Sequence, residues 1–240
     1  MFLPWRLIKI CCILLVISII LTLLGIRLKQ DSTTLSASGL VVSGVNTEDK
    51  VVSITFDDGP DPLYTPQIME LLKRYHARST FFVIGLHARQ YPDLLREIQK
   101  NGHEIGNHSY HHRRYIGQSK DYILQDIKMN EDLIEKYCGV KPVFLRPPGG
   151  RCTDTLLDIA RANHLTIINW GQDPEDWRNK NSLRISRQIL ANIRPGQIIV
   201  LHDGGGDRSQ TVKAVEQVLS SLSDQGYHFV PVGELLREGK

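Results

Sequence analysis

From Val51 onward, short apolar runs alternate with longer amphipathic stretches, and that rhythm leaves few folds open. Runs of strand length and composition lie at 51–56, 79–84, 103–106, 143–145, 165–169, 197–201 and 227–230. Helical stretches separate them at 66–75, 92–101, 121–138, 153–163, 182–193 and 210–225, with a last short helix at 234–237. The 121–138 stretch is the clearest: Ile123, Leu124, Ile127, Leu133, Ile134 and Tyr137 recur at helical spacing, and Gly139 stands where a C-cap belongs. Strand and helix in strict alternation require a parallel sheet. An open sheet gathers its chemistry at one switch point. Here polar residues follow nearly every strand: Asp57 and Asp58, His108 and His112, Arg146, Asp173 and Asp176, His202 and Asp203. The mouth of a barrel collects such residues. The expected class is α/β, an incomplete (β/α)7 barrel.

A chain of 240 residues has room for one domain of roughly 200 residues and an addition. Residues 10–26 hold no charge, follow Arg6 and Lys9, and precede Arg27 and Lys29. That run is short for a membrane span and longer than a signal-peptide core of about 7–15 residues. A polar tail follows it directly, which argues against a buried core helix. The reading is a single N-terminal transmembrane signal anchor within 1–27, a Ser/Thr/Gly-rich linker over 28–48, and a globular domain over 49–240. It places the protein in the cell membrane as a single-pass chain with its domain extracytoplasmic. Secretion after cleavage near Ser36-Ala37-Ser38 is the alternative.

The formal charge of +3 misleads, because Arg6, Lys9, Arg27 and Lys29 precede the first acid and the remainder nets about −1. No electrostatic case for nucleic acid remains. Gly204-Gly-Gly206 is read as a flexible turn; no Lys-Ser/Thr follows it, so it is not a nucleotide phosphate loop. A monomer is expected. Cys138 and Cys152 fall at opposite ends of the 143–145 strand. A strand segment of roughly 15 Å separates them, against the ~4.4–6.8 Å between Cα atoms that a disulfide needs, so they are expected to be unbonded.

Two stretches carry the chemistry. Thr55-Phe-Asp-Asp-Gly-Pro-Asp61 runs a strand into paired carboxylates and an abrupt turn. Adjacent carboxylates repel unless a cation lies between them or they do different jobs; an Asx turn in which Asp57 or Asp58 caps the backbone is the plainer alternative. In His108-Ser-Tyr-His-His112, histidines four apart share one face of a helical turn and can grip one metal. His111 rivals His112, and a polar helix start on the surface is the plainer alternative. A carboxylate from another strand end would complete a site of two His and one Asp, suited to Zn²⁺ or another borderline divalent ion.

Thr55-Phe-Asp-Asp-Gly-Pro60, His108-Ser-x-x-His112, Arg146-Pro-Pro-Gly-Gly150, Asp173-x-x-Asp-Trp177 and Leu201-His-Asp203 resemble the five ordered motifs of the polysaccharide deacetylase family (carbohydrate esterase family four). The resemblance covers essentially 50–240. It implies a distorted (β/α) barrel that removes acetyl groups from N-acetylated sugar polymers. It implies that Asp57 is the general base, that Arg146 pairs with it, and that Asp58, His108 and His112 hold one divalent metal ion, Zn²⁺ foremost and otherwise Co²⁺ or another transition metal. By the same resemblance His202 is the general acid, Asp176 orients it, and a backbone N–H near Gly149 faces the oxyanion. Pro148, Gly149, Trp177 and Leu201 would line the sugar groove and the acetyl pocket; for Trp177 and Leu201 core packing is the equal alternative. There is one departure: Gly149 stands where the family often carries a bulky residue, commonly Tyr, which alters the groove wall. The expected function is a metal-dependent hydrolase that removes N-acetyl groups from a cell-wall polysaccharide, peptidoglycan above others, with no nucleotide cofactor. A polysaccharide O-acetyl esterase and a chitooligosaccharide deacetylase are the alternatives. A non-enzymatic wall-binding protein is disfavoured, since every catalytic position is filled.

Overall fold

The alternation becomes, in the computed structural model, a parallel sheet with helices along its outer face; residues 39–239 are described. The strands are β1 (Val41–Val42), β2 (Val51–Asp57), β3 (Thr80–Val83), β4 (Glu104–Asn107), β5 (Phe144–Leu145), β6 (Thr166–Ile168), β7 (Ile198–His202) and β8 (His228–Phe229). The helices are α1 (Tyr64–Arg74), α2 (Gly85–Gln90), α3 (Pro92–Lys100), α4 (Lys120–Cys138), α5 (Asp154–Ala162), α6 (Ser182–Ala191), α7 (Ser209–Asp224) and α8 (Val232–Glu238). Of these, α2 and β1 were not expected; both are too short to show a period.

Every residue of β2 is buried, as its position in mid-sheet requires. Alternation sorts its side chains. Ile54 and Phe56 join the apolar layer under the helices, with Leu72, Phe81, Leu201, Val215 and Leu219. Ser53, Thr55 and Asp57 point the other way. The sheet runs β6-β5-β4-β3-β2-β7, with β8 beside the start of β2, and its pairings are parallel. It is a curled half-barrel. Between β6 and β7 the ladder lapses to a single bridge, Gln172 to Ile199. Asp57 lies level with His202 across the β2–β7 pair.

Val42 accepts the Asn169 N–H at 2.7 Å, and Val45 N–H donates to Gly196 O at 2.8 Å. The folded body thus begins before residue 49, inside the stretch expected to be linker. Contacts divide the chain into units Met1–Val41 and Val42–Lys240. The expected anchor at 10–26 lies outside the described residues; among those described, no helix is long and apolar enough to cross a membrane. Cys138 and Cys152 are both free thiols, as expected.

Candidate active site and metal centre

The C-terminal ends of β2, β4 and β7, with the chain following β5, meet at one rim of the half-barrel. Asp57 ends β2 with its side chain inward and 3% exposed. Arg146, one residue past β5, is fully buried beside it. Its Nη1 donates to Asp57 Oδ1 at 2.7 Å and to Thr55 Oγ1 at 2.7 Å, and its Nε donates to Ile168 O at 3.0 Å. The guanidinium carbon lies 4.0 Å from the centroid of the Phe82 ring. A buried guanidinium so enclosed fixes the orientation of the carboxylate it touches.

Asp58 leaves the strand with φ +73, which turns its side chain away from that of Asp57. Its Oδ1 lies 3.1 Å from His112 Nε2 and 3.5 Å from His108 Nε2. One ligand atom from each of Asp58, His108 and His112 falls within 4.8 Å of the others. The donor chemistry fits a cation. His108 Nδ1 sits 2.8 Å from Arg146 O, so that nitrogen carries the proton and Nε2 presents a lone pair to the centre. Asp58 Oδ1 is buried without a hydrogen-bond donor, an arrangement that a divalent ion satisfies. Burial opposes ionisation of Asp58, yet the imidazoles of His108, His112 and His202 hold its carboxyl well below the usual range. Burial likewise opposes a charged His108, but Asp57 and Asp58 push its pKa up; a cation would answer the same excess of negative charge.

The two histidines meet for a different reason than helical spacing. Residues 108–115 form a loop, with Ser109 at φ +69 and His112 at φ +56. His112 N–H donates to Ser109 Oγ at 2.9 Å, and Ser109 N–H to Asn107 Oδ1 at 2.8 Å. His111 is turned off the centre; its Nδ1 lies 2.6 Å from Asp126 Oδ1. Asp126, buried on α4, also accepts from Tyr110 N, His111 N and Tyr115 OH. Asn130, one turn along, donates to Val83 O, Asn107 Oδ1 and Ser109 O. These two residues were missed in the sequence. The signal was there: Ile123, Asp126, Ile127, Asn130 and Ile134 share the buried face of α4, where polar residues need a reason.

His202 ends β7. Its Nδ1 is 2.8 Å from Asp176 Oδ1, while Asp176 Oδ2 accepts His202 N–H at 3.0 Å and Thr211 Oγ1–H at 2.8 Å. Burial disfavours the imidazolium, but the bond to Asp176 and the charges of Asp176, Asp57 and Asp58 outweigh it and push His202 up to about 9.

A cleft of about 620 Å³ opens over the triad and His202, and Pro148, Gly149 and Trp177 are among the residues that line it. Leu201 does not: it is fully buried in the apolar layer, and Val200 and His202 line the cleft on either side of it. Strand alternation allows one face only, and Leu201 takes the core-packing alternative. The turn after β7 is held, not loose. Asp203 is buried and receives Thr65 Oγ1–H at 2.5 Å, and Arg208 donates to Gly204 O and Gly205 O. Asp203 lies so close to Gly59 that a Cβ there would stand 2.2 Å from its Oδ2. Neither Asp57 nor Asp58 makes the Asx turn; Asp61 does, accepting from Leu63 N and Tyr64 N at the start of α1.

Residues 44–168 match the sequence model of the family described as polysaccharide deacetylase. Over 205 residues the chain is 43% identical to a peptidoglycan-N-acetylglucosamine deacetylase of Bacillus cereus, which covers 85% of this chain and 96% of that protein. Over 191 residues it is 36% identical to the peptidoglycan-N-acetylmuramic acid deacetylase PdaC of Bacillus subtilis, which covers 80% of this chain and 40% of that one. Among solved structures, a peptidoglycan N-acetylglucosamine deacetylase in complex with 4-naphthalen-1-yl-N-oxidanyl-benzamide is similar at TM-score 0.82 and 29% identity, over 85% of this chain and 95% of that one.

Proposed function

This chain belongs to the polysaccharide deacetylase family, and on that premise we propose that it is a metal-dependent hydrolase removing N-acetyl groups from the amino sugars of peptidoglycan. The observation that carries the reading is the meeting, over one cleft, of the Asp57–Arg146 pair, the Asp58–His108–His112 triad and the Asp176–His202 pair. We read the half-barrel as the distorted (β/α)7 barrel of the family.

Asp58, His108 and His112 would hold the metal, for which Zn²⁺ suits two imidazoles and a carboxylate with positions left open. When bound, the metal polarises the acetyl carbonyl and acidifies water to a pKa of about 7. Asp57 takes the proton of the attacking water: Arg146 occupies its Oδ1, which leaves Oδ2 to accept. A backbone N–H near Gly149 steadies the negative oxygen of the tetrahedral state. His202, protonated across the neutral range and oriented by Asp176, gives its proton to the departing sugar amine through Nε2. Trp177, Pro148 and Val200 shape the wall against which the sugar and its acetyl group lie.

The test is acetate release from purified peptidoglycan by protein loaded with each of several divalent metals. Free amine in the product supports N-deacetylation. Loss of acetate with no new amine would identify an O-esterase instead. The protein is proposed to act as a monomer outside the cell, held in the membrane by residues 10–26, with 28–41 as linker and the catalytic domain beyond. Its support is the charge-free apolar run with basic flanks. Recovery of the full-length protein in the soluble fraction, uncleaved, would refute the anchor.

A further inference from the structure

The cleft wall lacks a side chain where Arg146-Pro-Pro-Gly-Gly150 passes it. Gly149 is exposed with φ +74, and a Cβ there would lie 3.4 Å from Arg114 Nε. A side chain at this position would lie in van der Waals contact with the Arg114 guanidinium. With glycine, that guanidinium lines the catalytic cleft and also a hollow of about 160 Å³ beside it. The hollow is walled by Arg114, Tyr115, Ile116, Pro148, Gly149 and Arg151. Its lining holds two guanidiniums and no carboxylate.

Those two cations are unspent. Among the described residues, neither Arg114 nor Arg151 has an ion pair or a hydrogen-bond partner, and both are exposed. The other arginines around the cleft are committed: Arg146 to Asp57, Arg178 to Glu175, and Arg208 to the carbonyls of Gly204 and Gly205. Tyr115 OH is taken by Asp126. Among the side chains that wall the hollow, the free hydrogen-bond donors are therefore the two guanidiniums. A guanidinium stays charged at any working pH and offers a planar fork that matches a carboxylate.

We propose that Arg114 and Arg151 form an anion subsite beside the cleft, which takes a carboxylate carried by the glycan and makes acidic strands better substrates than neutral ones. The deacetylase reading supplies only the identity of the ligand as a glycan. Two sources offer the carboxylate: the lactyl ether of a peptide-free N-acetylmuramic acid, or the stem peptide when the lactyl group is amidated. Both present the same fork-matching anion.

The test is calorimetric titration of the full-length protein with glycans of equal length. These are chitotetraose, a tetrasaccharide alternating N-acetylglucosamine with peptide-free N-acetylmuramic acid, the lactyl methyl ester of that compound, and its stem-peptide form. Arg114→Gln, Arg151→Gln and the double variant are titrated in parallel, with acetate release followed on the same samples. Wild type is expected to bind at least one acidic tetrasaccharide about tenfold more tightly than chitotetraose, as charge-assisted bonds at a wet rim allow. Raising the salt concentration shrinks that ratio, methyl esterification removes it for the peptide-free sugar, and each substitution lowers it. Tight binding of the peptide-free form assigns the lactyl carboxylate; tight binding of the stem form alone assigns the peptide. Equal or absent binding of acidic and neutral glycans by wild type overturns the subsite, as does a preference that survives the double substitution. Binding is read without turnover. A protein that binds acidic glycans but releases no acetate would therefore sink the deacetylase reading and leave the subsite standing.

Discussion

Asp57 and Asp58 share a peptide bond and little else. Strand geometry holds Asp57 inward against Arg146, whereas a positive φ turns Asp58 towards two imidazoles. The doublet is tolerable because each carboxylate has its own counter-charge. Asp57→Asn keeps the shape and removes the proton acceptor, so acetate release should fall by about 10²–10⁴-fold while metal content of the dialysed protein stays near wild type. His108→Ala should do the reverse and lose the metal. His202 gives a pH test with a definite sign. Burial pulls its pKa down and Asp176 more than restores it, from 6.5 to about 9. A pKa raised on folding gives stability that is complete below about 6.5 and lost as pH rises through about 9. The acid form is present over the same window, so activity should hold on the alkaline side until about pH 9. Asp176→Asn removes the carboxylate charge, and the alkaline limb should move down by about one unit or more. A limb that stays in place would remove His202 from the acid role.

Among the elements, α4 does more than cover the sheet. Its apolar residues bury it; Asp126 and Asn130 on the same face hold the loop that carries His108 and His112. Groups that orient metal ligands typically change affinity by about 10–100-fold when removed. Asp126→Ala is expected to weaken metal binding by that amount, measured by competition with a chelator, with the circular dichroism spectrum retained. His111→Ala should cost far less than His112→Ala, because His111 faces Asp126 and not the centre. Periodicity made α4 visible in the sequence, down to its C-cap at Gly139 with φ +69. It made the loop before it misleading. A spacing of four residues selected His108 and His112 by a helical argument, and the chain brings them together through two left-handed residues instead. The chemistry needs convergence, and more than one backbone path supplies it.

At the scale of the molecule, the half-barrel is finished by chain that carries no strong pattern. Residues 42–45 lie along the open side, bonded to Asn169 and Gly196, and their Ser/Gly-rich neighbourhood reads as linker. A chain beginning at residue 49 should melt several degrees below one beginning at residue 40: each hydrogen bond lost is worth about 1 kcal/mol, and that moves Tm by about 2–4 °C in a domain of this size. A scanning calorimeter decides it, and equal melting points would show the segment to be dispensable. The sequence by itself determined the alternation of strand and helix and the strand ends at which chemistry collects, and its resemblance to the five motifs singled out Asp57, Asp58, His108, His112, Arg146, Asp176 and His202 among the polar residues there. The first two are local facts, set by periodicity, by turns and by residue type at short range. Only the tertiary structure decided that Val200 and not Leu201 faces the cleft, that Asp126 and Asn130 steady the metal loop, and that Gly149 leaves Arg114 and Arg151 facing a hollow without a partner. Those depend on which residues distant in the chain arrive side by side, and no spacing along one strand or helix encodes that.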